Sequence, residues 1–218
     1  MKFIFTCLLI FISSCSKQNK SGTQASVAVT PHPEIEELEI DTEKGPFIYL
    51  AQLNPINEAI TGKAIGGATI ALEGDELVSD VRFSGTSITS SIMHIQNIYS
   101  ADRCPNQSDD TNNDGIIDIQ EAQKIMGKIL VPLDDDLNSQ HIGLGTSPAA
   151  DEFGGYVYSR SASFKRFLED LKEPDIFPEG SFTKLSSGQK LNFLKHPVLI
   201  QGVAETISLP PTVAGSPR

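Results

Sequence analysis

Basic residues are scarce in this chain: 17 Lys and Arg stand against 28 Asp and Glu, a formal net charge of −11 over 218 residues. Nucleic-acid binding needs a basic face, so this balance excludes a general role of that kind. It suits solubility and the capture of cations. Tryptophan is absent, while Gly and Pro number 17 and 13. That composition favours short strands joined by turns over long helices. The motifs of common catalytic machinery are missing as well. There is no phosphate-cradling glycine loop, no G-x-S-x-G elbow and no H-E-x-x-H. The expectation is therefore a protein that is not an enzyme.

Cysteine is also rare, with three in the chain. Cys7 falls in an export leader and Cys15 at its end, which leaves Cys104 as the one thiol of the mature domain. Cys104 is then expected to be a small packing residue with no intrachain disulfide. Long apolar runs are lacking too. Phe3–Ile12 follows the positive Lys2 and is too short to span a bilayer permanently. It ends in Ile12-Ser13-Ser14-Cys15, which resembles the bacterial lipobox. The resemblance implies removal of residues 1–14 and acylation of Cys15 with palmitate-type chains. Two or three such chains anchor a protein stably, where one does not. Ser16, in place of an aspartate, implies the outer membrane of a bacterial cell envelope. Residues 15–45 then read as the lipidated cysteine and a flexible tether. The tether ends in the acidic run Glu34–Glu43, expected to face water.

What is present in force is a run of oxygen donors. Asp110, Asn112, Asp114, Gly115, Asp118 and Glu121 fit the EF-hand pattern D-x-[DN]-x-[DN]-G-x5-E without mismatch. Calcium takes several hard oxygen ligands in a flexible shell. The alternating Asp110, Asn112 and Asp114 aim at one centre on a curled backbone. Ile116 offers its carbonyl, Asp118 binds directly or through water, and Glu121 clamps with both oxygens. Ile117 anchors the loop to the body. A polar turn rich in Asp, Asn and Gly is the plain alternative, and it leaves the spacing of Glu121 unexplained. The crowded carboxylates repel one another, so the loop is expected to be floppy or partly protonated until calcium orders it. Cys104-Pro105 argues against an entering helix. Ile119, Ala122, Ile125 and Met126 have helical spacing up to Gly127, so an exiting helix is expected. One loop without a partner suits a structural role at the ~10⁻⁴–10⁻³ M calcium of extracellular modules. A dockerin-like docking module would need a second loop. Asp134-Asp135-Asp136 is expected to be a solvated turn.

The folded domain is expected over residues 46–209, with a tail at 210–218. Strands are expected at Phe47–Leu53, Ala68–Leu72, Leu77–Phe83, Ile92–Tyr99, Tyr156–Ser159 and Pro197–Val203, with a turn at Glu73-Gly74-Asp75. Phe164, Phe167, Leu168 and Leu171 predict one further short helix, with Ser163 as its N-cap. The series Phe47 to Pro55, Gly66-Gly67-Ala68-Thr69, Leu77 to Gly85 and Met93-His94-Ile95 resembles a chordin-type (CHRD) domain over roughly residues 46 to 99. It implies a mainly β, Greek-key β-sandwich like that of Cu/Zn superoxide dismutase, here carrying an inserted calcium loop and helix. Gln96 stands where the family's second histidine would be, which weakens any transition-metal site.

Two functions are in competition. The first is a calcium-binding lipoprotein, membrane-anchored through its lipid, with a structural, adhesive or ligand-binding role towards an envelope protein or polysaccharide. The second is a copper or zinc redox or enzymatic protein using His94, His141 or His196, with His94 and His196 meeting in a sheet.

Overall fold

The structure is a computed structural model of the 218-residue chain. It describes residues 10–11, 46–61, 64–85, 94–101, 103–137, 149–152, 155–172, 183, 185, 191–201, 209 and 211–213. The described body is mainly β, with two antiparallel sheets and a few short helices.

The first sheet has the order β2-β3-β4-β7, built from Phe47–Leu53, Ala64–Glu73, Glu76–Gly85 and Gly155–Ser163. Two residues, Ile10–Phe11 (β1), pair in parallel with Tyr49 and Leu50 on its outer edge. Period-two alternation sets which face is buried. On β7, Val157 is 66% exposed between Tyr156 at 3% and Tyr158 at 2%. On β4, Leu77, Ser79 and Val81 turn inward while Arg82 is exposed. β3 and β4 join through Gly74–Asp75, with Glu73 opposite Glu76.

The second sheet has the order β6-β5-β8, from Ile129–Pro132, Gln96–Tyr99 and Val198–Ile200. Its Ile98, Leu130 and Val131 share one apolar core with Tyr49, Ile70, Leu72 and Val81 of the first sheet. All four residues of β5 are buried. Ile98 serves that core, whereas Tyr99 belongs to a separate cluster with Ile117, Ala122 and Met126. This second cluster lies under the acidic loop.

Among the described residues, three α-helices complete the body: Glu58–Thr61 (α1), Ile119–Met126 (α2) and Phe164–Asp170 (α3). Ser163 caps α3 as its spacing predicts, accepting from the Arg166 N–H. Phe164, Phe167 and Leu171 are buried, so the aromatic stripe is core. Asp135 and Asp136 are exposed, as expected of a solvated turn, whereas Asp134 is only 7% exposed. Leu133 and Leu137 on either side are buried and carry it inward, and desolvation raises its carboxyl above the usual range.

Two further expectations change. Residues 94 and 95 precede β5 rather than forming part of it, and 92–93 lie outside the described residues. Cys104 is not a lone thiol, because it is disulfide-bonded. The only other sulfurs of this kind belong to Cys7 and Cys15, both outside the described residues. The acidic run 34–43 and the tether lie outside them as well. Among the described residues, no helix is long and apolar enough to cross a membrane.

Candidate metal centre

Residues 101–127 leave the second sheet between β5 and β6 and return to it. The excursion is closed at its neck by Ser100 N–H donating to the Lys128 carbonyl at 2.8 Å and Ala101 N–H to that of Met126 at 3.0 Å. A single 3-10 turn, Gln107–Asp109, takes the place of an entering helix. Asn106 caps it, and Arg103 grips Asp109 through two 2.8 Å bonds. That guanidinium holds the Asp109 carboxyl below the usual range. The exiting helix α2 forms as its periodicity predicts and stops at Gly127, whose φ of 72° is the left-handed region that favours glycine.

Between them the chain curls over its own acids. Asn113 and Gly115 have φ of 58° and 84°, so the turn at Gly115 is one a side chain would strain. Successive side chains then accept from the backbone ahead of them. Gly115 N–H donates to Asp110 Oδ2 at 2.8 Å, Asp114 N–H to Asn112 Oδ1 at 2.9 Å, and Ile116 N–H to Asp114 Oδ1 at 2.9 Å. Asp118 Oδ1 accepts from Gln120 and Glu121, and Glu121 Oε2 accepts from Asp118 N–H at 3.3 Å. These two residues form a capping box on α2. The spacing of Glu121 therefore has a helix-capping explanation that needs no metal.

Glu121 also reaches across the loop. Its Oε1 accepts from Thr111 N–H and Oγ1, both at 2.7 Å, and from Asn112 N–H at 3.2 Å. It is only 4% exposed. The Thr111 hydroxyl, then backbone donors, hold its carboxyl below the usual range against the opposing effect of burial. Asp114 is lowered too, first by Thr212, whose hydroxyl donates to Oδ2 at 2.6 Å. At these two residues both directions favour the ionised carboxylate over the expected partial protonation, because N–H and O–H groups of the chain bond to them.

One oxygen is left over. Asp110 Oδ1 is buried and has no hydrogen-bond partner, which is costly for a carboxylate. A cation would be one partner able to satisfy it. Asp110, Asn112, Asp114, the Ile116 carbonyl, Asp118 and Glu121 are the groups present to complete such a shell. Asn112 and a carbonyl make it a hard, all-oxygen set. Among the described residues, no three His, Cys, Asp or Glu side chains are grouped closely enough to hold a metal ion as they stand. The tilt of Glu121 onto Thr111 and Asn112 is one physical reason.

Sequence reasoning missed three contributors. Asn57 bonds to Ile117 with both atoms of its carboxamide, at 2.8 Å each. Gln107 Nε2 donates to the Gly115 carbonyl, and Thr212 reaches in from the C-terminal region. All three lie outside the twelve-residue pattern, where only the fold brings them near.

The two described histidines, His94 and His196, do not combine. Gln96 stands opposite Ile200 and Ile98 opposite Val198. His94 and His196 therefore fall at opposite ends of this pair, roughly six residue steps or about 20 Å apart. The expected meeting in a sheet is corrected by that register. His141 lies outside the described residues. His94 is buried, with Nδ1 3.1 Å from the Gln201 carbonyl and Nε2 without a partner.

Comparison with family models, with curated proteins and with solved structures finds no match to this chain.

Proposed function

We propose that this chain is a calcium-binding lipoprotein of the bacterial cell envelope, carried on a CHRD-like, Greek-key type of β-sandwich. The observation that supports the calcium site best is the Asp110 carboxylate. One oxygen is fixed by Gly115 N–H while the other is buried and unpartnered, inside a loop that matches a calcium pattern along its whole length. Calcium held there by Asp110, Asn112, Asp114, Ile116, Asp118 and Glu121 would neutralise the acids and pin the insertion to the second sheet. Its role is structural, and it supports adhesion or capture of an envelope protein or polysaccharide. The membrane is reached through acyl chains on Cys15.

Thermal melting of the full chain in millimolar calcium and in chelator tests this. Calcium raises the Tm, and the double substitution Asp110→Ala, Glu121→Ala removes the increment. An identical Tm in both conditions rejects the reading.

A second reading has His94 as a ligand to copper or zinc. Nδ1 facing a backbone carbonyl and a bare Nε2 are what a metal-ligating histidine needs. Neither of the other two expected histidines joins it among the described residues. Stoichiometric copper or zinc in purified protein, lost in His94→Ala, would favour this second reading over calcium.

A further inference from the structure

A loop of this kind is commonly steadied by a second copy of itself, and the sequence contains one loop only. We infer that Asn57 supplies the missing support and is a positioning residue for the cation. This role rests on the calcium reading above. Ile117 lies between two of the proposed donors, the Ile116 carbonyl and Asp118, and is 6% exposed. Buried backbone groups need partners. The N–H of Ile117 donates to Asn57 Oδ1 at 2.8 Å, and its carbonyl accepts from Asn57 Nδ2 at 2.8 Å. The side-chain carboxamide thus pairs with the loop as another peptide would in a β-ladder.

Asn57 is well placed for this. It follows Ile56 on the connection from β2 to α1, and Ile56 packs on the cluster of Tyr99, Ile117, Ala122 and Met126. The connection that leaves the first sheet therefore holds the loop through one apolar contact and one bidentate amide contact at Ile117, between two of the proposed donors. Outer contacts of this kind orient ligands, and their loss typically weakens metal affinity about tenfold or more. The same linkage runs backwards: an ion that fixes Ile116 and Asp118 must also tighten the Asn57–Ile117 pair.

The test is calorimetric titration of the full chain with calcium chloride, for the wild type, Asn57→Ala and Asn57→Asp. The alanine variant is expected to bind one calcium about tenfold more weakly. The aspartate variant keeps an acceptor for Ile117 N–H but loses the donor to its carbonyl, and falls between the two. A residue needed only for folding would lower the Tm with and without calcium alike, and leave the affinity of the folded fraction unchanged. Amide exchange at Ile117 in the wild type gives a measurement that needs no variant, and calcium is expected to slow it. Wild-type affinity in Asn57→Ala, or exchange at Ile117 that ignores calcium while calcium binds, overturns the role of Asn57 and leaves the calcium site standing. Wild-type protein that takes up no calcium overturns the calcium reading itself.

Discussion

Single hydrogen-bond donors lower the Asp114 and Glu121 carboxyls of the acidic loop, and the one from Thr212 is the most revealing. Its hydroxyl meets Asp114 Oδ2 at 2.6 Å, beside Asn112 Nδ2 at 3.1 Å on the same oxygen. A calcium ion would have to compete for that oxygen. Thr212→Val removes the competing donor at little change in volume, so it is expected to tighten calcium binding several-fold in titration calorimetry. Unchanged or weaker affinity would mean that Thr212 organises the site instead of occupying it. The six proposed donors were legible in the sequence because the pattern fixes residue types at fixed offsets. Thr212 and Asn57 were not, since they lie 98 and 60 positions from Asp114 and Ile117, the residues they bond.

Elements with a clean period or cap were readable in advance. β2 occupies the expected Phe47–Leu53, and α2 ends at Gly127 as its spacing predicts. β6 was not foreseen, because Ile129–Pro132 is a four-residue apolar run ending in proline, which carries no period of its own. Its strand exists because β5 offers it a partner. The same holds for the joint between β4 and α3. Asp75 at the hairpin tip accepts from Lys165 N–H and from Ser163 Oγ, each at 2.8 Å, while its carbonyl accepts from Phe164 N–H. The Lys165 backbone bond, then the Ser163 hydroxyl, lower the Asp75 carboxyl. A carboxyl lowered by folding adds stability above its unfolded pKa and loses it as pH falls through the folded value. The Tm is therefore expected to drop on acidification below about pH 4. Asp75→Asn, which cannot ionise, is expected to lose part of that drop and to melt lower than wild type at neutral pH. Parallel Tm-against-pH curves for the two proteins would contradict the clamp.

At the scale of the whole molecule the anchor and the disulfide compete for the same atoms. Cys104 is disulfide-bonded, and Cys7 and Cys15 are the two sulfurs able to meet it. The proposed acylation would use the sulfur of Cys15, and the proposed cleavage before Cys15 would carry Cys7 away. It would also remove Ile10–Phe11 from the edge of β2. The processed, membrane-bound chain is therefore expected to show one titratable thiol after denaturation and a mass raised by acyl groups at Cys15. The acyl mass decides: one thiol without it, from the cysteine that the Cys104 bond leaves over in an uncut chain, or no thiol at all, would mean that the disulfide survives and the anchor is wrong. The bond at Cys104 was not legible in the sequence, since pairing depends on which sulfurs the fold brings together and one sequence holds no record of that. The central claim remains the ion at Asp110. Titration of the full chain with calcium, followed by calorimetry, is expected to give one site per chain with a Kd of about 10⁻⁴–10⁻³ M, absent from Asp110→Ala, Glu121→Ala. Protein that binds no calcium at millimolar concentration, or a double variant that binds it as the wild type does, would contradict the account.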